Sequence, residues 1–157
     1  MQRLRLQWGD VMKVNMDSND AFMEIMEDIK RIPELTEKHE KKIMSRIRDV
    51  LVEKVKANLP RSAGAATNYD GSKPYVHMRD DIKSSVKSKG GLSSVLISGG
   101  KKTAFKWHLV NDGARDKNGN VKTVATHFVD KAVIQAEPEI ENLIDELIAE
   151  VANGGGT

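Results

Sequence analysis

"WHLVNDGARDKNGNVKTVATHFVDKAV", residues 107–133, sets two histidines and three aspartates around a polar loop that joins two apolar ends. Such a stretch is an active site, a metal loop or a structural corner, and its chemistry can be tested position by position. A calcium-binding EF-hand loop needs oxygen ligands at positions 1, 3, 5 and 12 around a glycine at position 6. With Gly119 placed at position 6, position 1 is Ala114 and position 12 is Ala125. The pattern fails at both ends, and "DKNGN" reads better as a Gly/Asn turn. His77, His108 and His127 are scattered, and no pair has the i, i+4 spacing of a helical metal site. His108 and His127, with Lys106 nearby, are the only pairing that resembles an acid–base couple for RNA cleavage. No motif favours it over two ordinary histidines.

The rest of the chain offers no other chemistry. Gly90-Gly91 and Gly99-Gly100 punctuate apolar runs without the Gly-Lys-Ser/Thr that completes a phosphate loop. There are no cysteines among the 157 residues, which removes disulfides, thiol catalysis and zinc-thiolate sites and suits a cytosolic product. No apolar run approaches the ~20 residues that cross a bilayer, and no signal peptide follows Arg3 and Arg5. The expectation is a non-enzymatic chain with no cofactor and no bound metal.

Outward from the quoted stretch, periodicity sets the layout. Ser18 to Ile29 carries Phe22, Ile25, Met26 and Ile29 at helical spacing. Leu35, Ile43, Met44, Ile47, Val50, Leu51 and Val55 predict a long helix over 33–58, stopped by Pro60. Residues 60–75 lack periodicity and are rich in Gly, Ser, Asn and Asp, which predicts an exposed, mobile loop. Alternation over 82–88 and again over 92–98 predicts an antiparallel hairpin turning at Gly90-Gly91. "TAFKWHLVNDG" reads as a short helix ending at Gly113, or as a strand with Phe105, Trp107 and Leu109 on one face, and the helix is preferred. Thr126 should cap a terminal helix carrying Phe128 to Val151, kinked or split at Pro138. The fold class is therefore α+β, with N-terminal helices and a C-terminal helix packed on a small antiparallel sheet. Its organisation is read as a flexible extension over 1–12, one domain over 13–151 and a loose tail over 152–157.

Charge is segregated along the chain. Residues 79–122 hold ten Lys/Arg against four Asp/Glu, whereas 137–151 hold six acidic side chains and no basic one. Charge alone fits two solvated faces with no partner, or association of unlike faces; a small nucleic-acid-binding protein using the basic region is the alternative function. A metal-independent ribonuclease is a third reading.

The order of parts carries a resemblance. Met78, Asp81 and Ile82 follow a Pro/Gly loop, "VNDGA" ends the central region at 110–114, and "HFVDKA" opens a helix at 127–132. In these respects the chain resembles, over about residues 13–151, the gene-product-ten-like family of minor tail or neck proteins of long-tailed double-stranded DNA phages. The Thr-Gly pair usual after the family's first proline is replaced here by "PRSAGAATNYDG". The resemblance implies a virion protein of the neck or upper tail, assembled in the host cytoplasm, that acts in tail completion or head–tail joining. It implies a homo-oligomeric ring, contacts with neighbouring neck and tail proteins and proximity to double-stranded DNA, with no membrane and no small-molecule substrate. Under it, 107–133 becomes a structural corner: Gly113 turns the chain at positive φ, while Phe105, Leu109, Phe128 and Val133 pack inward. Candidate interface residues are Lys101, Lys102, Arg115, Lys117, Lys122, Glu141, Asp145 and Glu146.

Overall fold

The structure is a computed structural model that describes residues 6–7, 13–15, 37–61, 64–89 and 92–153. The helix expected from Ser18 to Ile29 and the start of the one expected from 33 lie outside the described residues. Four strands form one antiparallel sheet: β1 (Leu6–Gln7), β2 (Lys13–Asn15), β3 (Ile82–Lys89) and β4 (Leu92–Gly99), in the order β1-β2-β4-β3. Leu6 and Gln7 fall inside the stretch expected to stay loose, yet they pair with Val14 and Lys13 as an edge strand. The β3–β4 register runs from Ile82 opposite Gly99 to Lys89 opposite Leu92, a hairpin about the expected glycine pair. Because side chains alternate along a strand, Ile82, Val86, Val95 and Ile97 share one face and join the core.

Helix α1 (Glu37–Asn58) is the central element, lying against β3 and β4 on one side and the terminal helix on the other. Ile43, Met44, Ile47, Leu51 and Val55 repeat at three- and four-residue steps, and all are buried. The helix ends where residue 59 precedes Pro60, since the proline ring disfavours helical backbone in the residue before it. A short helix, α2 (Trp107–Asp112), follows a 3₁₀ turn at Ala104–Lys106. Two brief strands, β5 (Ala114–Arg115) and β6 (Val121–Thr123), then form a second hairpin where sequence reading expected only a loop. Helix α3 (Phe128–Ala152) closes the fold.

Pro138 neither ends nor splits α3. Its ring lies on the exposed side, where the carbonyl a turn earlier, deprived of its donor, faces water and loses little. Helices α1 and α3 run antiparallel around a seam of Ile47, Leu51, Val55, Ala136, Ile140, Ile144 and Leu147. Ion pairs edge that seam: Lys42 with Glu150 at 3.1 Å, Arg46 with Glu146 at 3.2 Å, and Lys54 with Glu139. Half of the six acidic side chains over 137–151 are thus bound within the molecule. The Glu139 carboxylate, hydrogen-bonded to the Lys54 ammonium, raises the lysine above its ordinary pKa. Among the described residues, no helix is long and apolar enough to cross a membrane.

Candidate functional site

The corner at 107–133 is built around a buried asparagine. Asn111 is fully buried near the C-terminal end of α2. Its side-chain oxygen accepts a hydrogen bond from the Val129 backbone N–H at 3.0 Å, and its backbone oxygen accepts from the His127 N–H at 2.9 Å. Helix N-termini leave donors without intrahelical partners, and here a residue eighteen positions earlier satisfies one of them. Thr126 was expected to do this. Instead its hydroxyl donates to the Val110 carbonyl at 2.8 Å, and His127 occupies the cap position at φ 51° with no side-chain cap bond. The Asn111 amide donates in turn to Asp112 at 2.9 Å and Asp130 at 3.4 Å.

Gly113 leaves α2 at φ 80°. A Cβ there would come within 2.8 Å of the Thr123 carbonyl and 2.9 Å of the Ala125 nitrogen, so the site excludes a side chain on two grounds. Behind the turn, Trp107 meets Phe128 edge to face at 5.2 Å, both fully buried. Gly99 makes room for Trp107, since a Cβ there would stand 2.5 Å from the indole nitrogen. The expected inward set needs correcting. Phe128 is buried and Leu109 and Val133 are half-buried, but Phe105 lies at the surface, and Trp107 fills the core in its place. The histidines of the corner are peripheral: His108 is exposed, and the exposed His127 ring stands 3.6 Å from Asp130. Among the described residues, no group of three or more His, Cys, Asp or Glu could hold a metal ion.

Beyond the corner, the β5–β6 hairpin projects into solvent. Asp116 organises its tip, accepting from the Asn118 and Asn120 backbone N–H groups at 2.8 and 3.0 Å and from the Asn120 amide at 3.2 Å. These donors, the Asn120 amide foremost, hold its carboxyl below the ordinary value. Around this tip Arg115, Lys117 and Lys122 are exposed beside Val121 and Val124, which are 58% and 74% exposed. Lys101 is also exposed, whereas Lys102 binds Asp70 and donates to the Ser72 hydroxyl at 2.7 Å.

The acidic candidates divide between two sides of α3. Glu141 and Asp145 lie on its outer stripe between Ile134 and Ile148, which are 62% and 39% exposed. Glu146 sits a quarter-turn round, against Arg46. It remains exposed, but its carboxylate is engaged by that guanidinium.

The loop expected to be mobile has a defined path over 64–76. Asn68, 6% exposed, donates through its amide to the Ser72 and Pro74 carbonyls at 2.9 and 2.8 Å and accepts from the Val76 N–H at 2.8 Å. These bonds supply the backbone partners that a strand or helix would otherwise give. The result places Tyr69, 85% exposed, against the Phe105 ring at 4.9 Å. A buried loop asparagine leaves no mark in composition, and sequence reading missed it.

Comparison with known proteins adds what geometry alone does not. The model of a family described as "Bacteriophage HK97-gp10, putative tail-component" matches residues 21–113, more than half of the chain. The chain belongs to this family of phage tail components. The match ends at Gly113, so the tail component's β5–β6 hairpin and α3 lie beyond it. Membership implies a place in the virion and contact with other tail proteins. Neither a curated protein nor a solved structure matches the chain.

Proposed function

We infer that the chain is a non-enzymatic structural component of the neck or upper tail, serving tail completion or head–tail joining by associating with copies of itself and with neighbouring tail proteins. The observation that carries this reading is a pair of complementary, exposed surfaces. One is the outer stripe of α3, where Glu141 and Asp145 form no ion pair among the described residues and lie between two exposed isoleucines. The other is the hairpin, where Arg115, Lys117 and Lys122 surround two exposed valines. Each combines apolar area with a net charge, acidic on the stripe and basic on the hairpin, which favours contact and fixes register. Contact between unlike surfaces is heterologous and closes into a ring when the rotation permits.

Light scattering across a salt series, at concentrations where the wild-type chain associates, tests the reading. Glu141→Lys with Asp145→Lys should abolish association at low salt and leave the fold intact. Glu146→Lys should leave association unchanged, because that carboxylate already faces Arg46. Ile144→Asp should unfold the chain, since Ile144 is buried in the α1–α3 seam. Association of the double variant at wild-type strength would overturn the proposed contact.

A further inference from the structure

A third surface is distinct from both of these in composition. The loop 64–77 and the turn 101–106 meet to form a continuous row. Tyr69 packs on Phe105, with ring centres 4.9 Å apart and planes inclined by 49°. The Lys106 ammonium lies 5.6 Å from the Phe105 ring centre and 4.9 Å from that of Tyr75, and donates to the Tyr75 hydroxyl at 3.1 Å. Tyr75 then meets His77 edge to face at 5.0 Å. Only 4% of the chain is aromatic, yet both of its tyrosines and one of its three phenylalanines gather here, outside the core.

The charge of the row is one-sided. Its two segments hold Lys73, Lys101, Lys102 and Lys106 against a single carboxylate, Asp70, and Lys102 is already bound to that carboxylate. Lys73 and Lys101 are exposed and form no ion pair among the described residues. Among the described residues, the large exposed apolar groups are also sorted by kind. Val121, Val124, Ile134 and Ile148, all aliphatic, are on the hairpin and α3, whereas Tyr69 and Phe105 are on this row.

Ring faces and cations in alternation, without aliphatic side chains, fit a ligand that repeats flat π-systems and negative charges. We propose that the Tyr69–Phe105–Lys106–Tyr75 row binds single-stranded nucleic acid. A base stacks on the outer face of Tyr69, while Lys73, Lys101 and Lys106 meet the flanking phosphates. The two rings touch, so the base lies on the pair and not between its members. Stacking of this kind tolerates any sequence, because every base presents a π face. A duplex hides those faces inside its stack and offers only phosphates. This proposal goes beyond the assembly reading and does not rest on it.

The test is fluorescence anisotropy of a labelled twenty-nucleotide oligothymidylate, titrated with the full chain in low salt. The single strand should bind more tightly than a duplex of equal length, and rising salt should weaken it, as release of counterions from neutralised phosphates requires. Tyr69→Ala should weaken binding about tenfold or more, within the range for loss of one stacked base, while Tyr69→Phe should retain it. Tyr69 is almost wholly exposed, so its replacement leaves the fold in place, as circular dichroism would verify. Lys73→Glu with Lys101→Glu should weaken binding and flatten its salt dependence. No binding, equal binding of duplex and single strand, or unchanged affinity of Tyr69→Ala would overturn the proposal. So would displacement by polyglutamate as effective as by unlabelled oligonucleotide, which would mark an acidic-protein site.

Discussion

Two asparagines organise two polar turns of this protein, with opposite consequences. Asn111 ties the end of α2 to the start of α3 and lies behind Trp107 and Phe128 in the core. Asn68 ties a loop to itself and leaves the neighbouring tyrosine in water. Both side chains satisfy backbone groups that regular structure leaves over. The difference lies in what the asparagine holds: two helices in one place, a surface ring in the other. A buried amide is therefore a device for stability or for presentation according to its neighbours.

The aromatics beside the two turns should separate these roles most sharply. Trp107→Ala removes a fully buried ring and should cost about 3–5 kcal/mol, which chemical denaturation would read as a large fall in the unfolding midpoint. Phe105→Ala, two residues earlier, should cost under ~1 kcal/mol, because that ring is 36% exposed. Comparable losses from the two changes would erase the distinction between core and surface at this corner.

Next in size are the asparagines themselves. Asn111→Ala removes the acceptor for the Val129 N–H, leaves a buried donor unpaired and should cost about 2–3 kcal/mol. For a chain of this length that lowers Tm by roughly 4–12 °C. Asn68→Ala frees a loop whose ends are held elsewhere, so it should barely move Tm but open 64–76 to protease. Limited proteolysis followed by mass spectrometry would locate the cut. Early cleavage in α1 of the Asn68 variant, before the loop, would show that the loop bears global stability.

Much of this architecture was legible because it is written locally. The stripes of α1 and α3 repeat over several turns, the β3–β4 hairpin alternates on both sides of a glycine pair, and Gly113 sits where a helix must turn out. What escaped depends on distant partners. The choice between Phe105 and Trp107 for the core is settled by the space beside Gly99 and by Phe128, neither visible in a three-residue window. Asn111 serves a helix eighteen residues on, and nothing in "VNDG" announces it. The acidic run of α3 reads as one surface, but antiparallel pairing with α1 takes Glu139, Glu146 and Glu150 and leaves Glu141 and Asp145 outward. Strands as short as β5 and β6 have too few residues to show alternation. Family membership extends the reading of α1, the hairpin and α2 to a class of tail components, and stops before the two surfaces inferred to make contact.

The smallest effect concerns acid, and it again sets the two turns apart. The Lys102 ammonium, with the Ser72 hydroxyl and backbone N–H, holds the Asp70 carboxyl well below the usual carboxylate range. Asp70 thereby fastens the Tyr69 loop to the turn at 101–106, while the Asn111 cluster uses an amide that does not titrate. A carboxyl depressed on folding contributes stability above its unfolded pKa, and that contribution is lost as pH falls through the folded value. The contribution of Asp70 should thus be full at neutral pH and begin to fade only below about pH 4, the unfolded carboxylate value. Asp70→Asn should abolish this pH dependence at the loop. The group is exposed and salt-screened, so the global melting curve should hardly respond. Carboxyl resonances followed by NMR would read the titration directly, and amide exchange over 68–76 would read the loop. A normal Asp70 titration, or exchange in the loop insensitive to acid and to Asp70→Asn alike, would mean that Asn68 alone holds the tyrosine in place.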